Sequence, residues 1–183
     1  MTTIVSEIFD LFARFGAGGY GEDLSLESHM LQSAAMAESL GAAPNVVVAA
    51  LLHDIGYFLH DDSGAPVDAG RDFRHEAIGA SWLSRAFGEE VTAPIALHVQ
   101  AKRYLCAVEP DYYDGLSDAS RRSLAVQGGV MGEDEAAAFA KAPAFEAALL
   151  LRRCDDRGKD VEGSTRTIED YRGLLIDSLR PGG

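Results

Sequence analysis

Seven consecutive apolar residues, Val46-Val47-Val48-Ala49-Ala50-Leu51-Leu52, run straight into the doublet His53-Asp54. A helix that is apolar all round has no face to offer water, so this segment must cross the middle of whatever it folds into. Pro44 suits the first turn of that helix, where a missing N–H does no harm. An imidazole and a carboxylate at the end of a buried helix are unfavourable unless something satisfies them, and a metal ion does so. The interior must therefore be built around this segment and around whatever His53 and Asp54 hold.

Helical spacing dominates the rest of the chain, and no run of strand alternation stands out. Ile4, Val5, Ile8, Phe9, Phe12 and Phe15 form one stripe, predicting a helix over 3–15. The glycine-rich stretch 16–21 reads as a loop. Ser25 suits the N-cap of a second helix that carries His29 and stops at Gly41. After the polar connection 61–72, helices are expected over 75–87 and 90–105, with a break at 109–115. Further helices read at about 117–126, 133–140, 143–157 and 166–179. The fold class is all-α, a helical bundle around a central buried metal site. Residues 1–183 read as one domain with its core at about 20–160, a C-terminal helix at about 166–179 and a disordered tail at 180–183.

The chain has five histidines. His29, His53, His75 and His98 fall where helices can aim them into one pocket, together with Asp54 and Asp155. His60, flanked by Asp61 and Asp62, reads as a surface residue. Imidazole and carboxylate suit first-row transition metals. Six such ligands exceed what one ion takes from protein while keeping a position open for chemistry. Two ions with a bridging carboxylate, at about 3.5–4 Å, are therefore expected. Adjacent residues on a helix point about 100° apart, so His53 and Asp54 address neighbouring positions rather than chelating one ion.

The net charge of -13 argues against nucleic acid and against anionic membrane surfaces. A small anionic substrate would need a local cationic pocket. Cys106 and Cys154 lie in no CxxC pair and suggest neither a disulfide framework nor a thiolate metal site. No signal peptide and no apolar run near the ~20 residues of a membrane span are seen, so a cytoplasmic location is expected.

The pattern His29…His53-Asp54…Asp155 resembles the HD-domain superfamily, whose members are all-helical and mostly phosphohydrolases. The resemblance spans about residues 20–160. His75 and His98 match the HD members that hold two metals. Lys102 lies one turn after His98, and Arg152 three residues before Asp155, so each pair can share a face. With Ser120 and Ser123 they can form an oxyanion clamp, charge from the cations and orientation from the hydroxyls. Together these segments are similar to the 2-amino-1-hydroxyethylphosphonate dioxygenase family.

That resemblance implies a mixed-valent Fe(II)/Fe(III) pair, dioxygen as co-substrate, and cleavage of the carbon–phosphorus bond of a 1-hydroxyphosphonate to phosphate and a carboxylate. It implies that Lys102, Ser120, Ser123 and Arg152 hold the phosphonate. It also implies that a loop Tyr and Glu, here Tyr20 and Glu22, cover the vacant iron position until substrate arrives. The family enzyme has His or Lys just after HDIG, where this chain has Tyr57. An aromatic ring there would suit a quaternary ammonium substituent, as in the related oxygenase acting on 1-hydroxy-2-(trimethylammonio)ethylphosphonate. Plain core packing of Tyr57 and Phe58 fits equally. A dinuclear phosphohydrolase acting on a nucleotide or small phosphate ester remains the alternative, and a non-catalytic ligand-sensing module a third. The oligomeric state is not legible.

Overall fold

A computed structural model of the chain describes residues 3–19, 24–59, 72–160 and 166–181. Helix α1 spans Ile4–Phe15, α2 Leu26–Ser39, α3 Pro44–Leu52, α4 Gly56–Leu59 and α5 His75–Leu83. Then come α6 at Glu89–Val108, α7 at Asp118–Val126, α8 at Glu133–Phe139, α9 at Phe145–Arg157 and α10 at Arg172–Asp177. Among the described residues there is no strand, only two isolated bridges, Gly19 to Ser25 and Phe87 to Leu179. No described helix is long and apolar enough to cross a membrane.

Side-chain caps open several helices. The Ser28 amide donates to Ser25 Oγ at 3.1 Å ahead of α2, and the Ser120 amide to Ser117 Oγ at 3.2 Å ahead of α7. Each satisfies one of the orphan donors of a helix start. Pro44 occupies the first turn of α3, as its fixed φ and missing N–H favour.

Helix α3 is the axis of the molecule: Val46 to Leu52 are all buried. It packs against α2, α6 and α9, and α10 touches it as well. Helix α1 buries Ile4, Val5, Ile8 and Phe12, each contributing roughly 1.5–3 kcal/mol of hydrophobic stabilisation. A smaller core gathers Ala101, Met131, Ala136, Phe139 and Ala148 beneath α8. There the rings of Tyr104, Phe139 and Phe145 pack edge-on or tilted, with centroids 5.1–5.5 Å apart.

Several elements differ from the sequence expectation. Helix α5 stops at Leu83 rather than 87, and Ala86 and Phe87 close the turn by bonding back to the Leu83 carbonyl. The segment expected as one helix over 166–179 starts as a 3-10 turn, Ile168–Tyr171, and only then becomes α10. Its start is pinned by the Thr167 amide donating to Asp170 Oδ2 at 2.8 Å. Arg180, expected in a loose tail, donates its amide to the Ala86 carbonyl at 2.8 Å. Short helix α4 was not legible in the sequence. It exists because the chain turns at His53-Asp54-Ile55 and then lies against the start of α5. Contact there is so close that a Cβ on Gly56 would sit 2.0 Å from the His75 carbonyl oxygen.

Candidate metal centre

Five separate pieces of backbone deliver the expected ligands to one point. His29 comes from α2, His53 caps α3, Asp54 follows in the turn, His75 opens α5, His98 lies on α6 and Asp155 on α9. All six are at most 4% exposed. His75 is aimed by Arg74, which adopts a left-handed φ of 53° just before α5.

Asp54 stands at the middle. Its Oδ1 lies 3.2 Å from His75 Nε2 and 3.7 Å from His98 Nε2. Its Oδ2 lies 3.4 Å from His53 Nε2 and 3.7 Å from His29 Nε2. One carboxylate therefore serves two histidine pairs, one oxygen to each. Asp155 joins the first pair only, with Oδ1 3.3 Å from His29 Nε2 and Oδ2 3.9 Å from His53 Nε2. Two groups of three ligand atoms, His29–His53–Asp54 and Asp54–His75–His98, are each compact enough to hold an ion.

The far side of each ring decides what Nε2 can do. His29 Nδ1 donates to the Gly158 carbonyl at 2.8 Å, His53 Nδ1 to Ala50 at 2.8 Å, and His98 Nδ1 to Ile95 at 2.7 Å. Carbonyls only accept, so these rings carry their proton on Nδ1 and, when neutral, present a lone pair at Nε2. His75 Nδ1 instead faces Glu76 Oε2 at 3.6 Å. Yet His29 and His53 bring their Nε2 atoms within 3.2 Å, and His75 and His98 within 3.1 Å. Lone pairs at that separation repel unless a positive charge lies among them.

Electrostatics point the same way. Burial disfavours charge on His53, but the Asp54 and Asp155 carboxylates override it and raise the ring to about 9. Burial would likewise raise Asp54, but His53 and His75 hold it well below the usual carboxylate range. Asp155 is held low against burial by Arg152, His29 and His53. Burial, with His75 and His53 beside it, lowers His98. Asp54 Oδ2 and Asp155 Oδ1 are buried without a hydrogen-bond partner. Orphaned carboxylate oxygens facing imidazole lone pairs are the donor set of a transition-metal site. The residues present therefore fit two ions.

Beside the ligands opens a cavity lined by Asp54, Tyr57, His75, His98, Asp155 and the expected clamp residues Lys102, Ser120, Ser123 and Arg152. Lys102 Nζ donates to Ser123 Oγ at 2.7 Å, and Ser123 donates to the Ser120 carbonyl at 3.0 Å. Burial and the nearby Arg152 lower the Lys102 ammonium to about 7. Tyr57 stacks on His75, ring centroids 4.2 Å apart and 14° from parallel, so it is both packing and cavity wall. Tyr20, Glu22 and His60 lie outside the described residues.

Arg152 is more engaged than its spacing from Asp155 suggests. It donates through one terminal nitrogen to Asp155 at 2.7 Å, through the other to Asp156, and through Nε to the Tyr112 hydroxyl at 3.1 Å. Tyr112 in turn donates to Asp156. Two further polar cavity residues were not among the expected site residues, Gln127 and Lys159. Gln127 carried a signal, standing one helical turn after Ser123. Lys159 lies beyond the end of α9, where helical periodicity says nothing about direction.

Comparisons with known proteins identify the family. The HD domain family matches residues 26–114, a stretch that contains all four ligand histidines and Asp54. Hydroxymethylphosphonate dioxygenase of Gimesia maris is 45% identical over 168 residues, 91% of this chain and 84% of that protein. The [1-hydroxy-2-(trimethylamino)ethyl]phosphonate dioxygenase (glycine-betaine-forming) of Leisingera caerulea is 40% identical over 88% of this chain and 83% of its own. An uncharacterised protein of Acanthamoeba polyphaga mimivirus is 34% identical over 96% of this chain and 81% of its own. On similarity of this extent, the chain belongs to the HD-domain phosphonate oxygenase family.

Proposed function

We propose that the chain uses dioxygen to cleave the carbon–phosphorus bond of a 1-hydroxyphosphonate, giving phosphate and a carboxylate. The overall reaction balances without an outside reductant: one hydroxyphosphonate and one O2 yield one carboxylic acid and one hydrogenphosphate. Two iron ions, one ferrous and one ferric, are the proposed cofactor. One position would use His29, His53, Asp155 and Asp54 Oδ2, the other His75, His98 and Asp54 Oδ1. Bound there, iron would supply the one-electron chemistry that lets dioxygen oxidise a C–H bond.

The observation that carries this reading is Asp54, which offers one oxygen to each histidine pair at the floor of a cavity with a cationic, hydroxyl-rich wall. Lys102, Ser120 and Ser123 would bind and orient the phosphonate oxygens through charge-assisted hydrogen bonds. Arg152 holds Asp155 in place from behind. The Tyr57 ring would meet whatever substituent the substrate's second carbon carries, and Val99 and Ala119 exclude water beside it.

The test loads the protein with iron and follows oxygen uptake and phosphate release together. The substrates are hydroxymethylphosphonate and its trimethylammonio-ethyl counterpart. Equal oxygen consumption and phosphate release with either compound supports the oxygenase. Phosphate release from phosphate esters that continues without oxygen would replace it with a dinuclear phosphohydrolase.

A further inference from the structure

We propose that Lys159 is the second cation of the anion-binding wall, so that two lysines grip a phosphonate dianion from successive turns of α7. This rests on reading the cavity as a phosphonate site. Lys159 Nζ donates to Ser120 Oγ at 2.9 Å and to Ser117 Oγ at 3.1 Å, in the first turn of α7. Lys102 reaches the same face one turn later, at Ser123. Both lysines line the cavity that opens onto Asp54, His75 and His98. Ser120 Oγ accepts from the Lys159 ammonium, which leaves its own proton to donate towards an anion.

Two lysines and two serines thus line one wall of the cavity. Arg152 is flanked by two carboxylates, Asp155 and Asp156, which between them more than match its single charge. The base from which Lys159 extends is also fixed. The preceding residue, Gly158, lies so close to α2 that a Cβ there would sit 2.5 Å from Ser33 Oγ and 2.9 Å from the Ser33 amide. The Gly158 carbonyl holds the His29 ring at 2.8 Å. Lys159 therefore leaves a pinned segment that supports a metal ligand, and its amine is directed at α7 rather than into solvent.

Two substitutions separate charge from simple bracing. Lys159→Gln keeps N–H donors for Ser117 and Ser120 but removes the charge; Lys159→Arg keeps the charge. The probe is inorganic phosphate, titrated calorimetrically into the iron-loaded full chain, with metal content and melting temperature measured on every variant. The expected result is a weakening of about ten-fold or more in Lys159→Gln, the scale of one charge-assisted hydrogen bond. Its salt dependence should be shallower, and Lys159→Arg should keep most of the affinity. Phosphate binding unchanged in Lys159→Gln overturns the inference. So does an Arg variant that folds, holds its metal and fails to bind phosphate, which also decides the matter should the Gln variant not fold. If phosphate binding depends on Lys159 while hydroxyphosphonates cause no oxygen uptake by the unaltered protein, the lysine assignment stands and the oxygenase reading falls.

Discussion

Replacing Gly56 by alanine should empty one metal position while leaving the other in place. An added Cβ would lie 2.0 Å from the His75 carbonyl oxygen, 2.7 Å from its carbon and 2.9 Å from its Cα. These are backbone atoms, so no side-chain rotation relieves the overlap. Reaching even the 3.4 Å edge of ordinary contact requires about 1.4 Å of separation between the Asp54–Gly56 turn and α5. Gly79 ties the same helix to the same turn, since a Cβ there would already stand 3.1 Å from the Gly56 amide. Helix α5 must therefore retreat as a body, carrying His75 away from Asp54 Oδ1, now 3.2 Å from its Nε2. A ligand set tolerates about 0.5 Å of misplacement, so this movement is too large. Overpacking of this kind destabilises by about 1–3 kcal/mol or more. At about 2–4 °C per kcal/mol for a chain of this length, the melting temperature should fall by roughly 2–12 °C. Elemental analysis beside a thermal melt checks both halves, with iron expected to drop from two towards one per chain. Two tightly held ions and an unchanged melt in Gly56→Ala would refute the reasoning.

Three further outcomes are expected. His75→Ala should reduce iron from two to about one per chain with the fold retained, as circular dichroism and elemental analysis will report; full occupancy removes His75 from the ligand set. Tyr112→Phe strips a partner from both Arg152 Nε and Asp156, which should destabilise the chain by about 1–3 kcal/mol in urea unfolding without loss of metal; an unaltered midpoint counts against the network. Lys102 gives a pH dependence of defined sign. Unfolded, it keeps its proton up to about 10.5; folded, it gives the proton up near 7, so its contribution to stability grows as pH rises across that window. An anion needs Lys102 charged, so phosphate affinity should decline above about pH 7 more steeply than in Lys102→Arg, and parallel profiles would exclude the lysine.

The helical course and the convergence of the six candidate ligands were legible because both follow from local rules. An apolar run such as Val46 to Leu52 leaves no freedom about where it lies, and helical spacing brings the histidines of the neighbouring helices to its end. What stayed hidden was set by contacts distant in sequence. Helix α4 has four residues and owes its position to the His75 backbone packed against Gly56. The company Arg152 keeps depends on Tyr112, forty residues earlier, in a stretch that reads only as a break between helices. Lys159 follows Gly158, and its direction comes from the tight fit of that glycine against Ser33. The sharing of Asp54, one oxygen per histidine pair, is likewise a tertiary fact, although the His53-Asp54 adjacency makes it geometrically accessible.

All six candidate ligands lie almost wholly out of contact with water, and the cavity walled by Lys102, Ser120 and Lys159 reaches four of them, Asp54, His75, His98 and Asp155. Among the described residues, ion loading and turnover then use this same opening. An occupant seated at the hydroxyls of α7 stands in the path of a chelator, so saturating phosphate should slow the stripping of iron. Metal exchange at such a site is expected to proceed mainly while those hydroxyls are unoccupied.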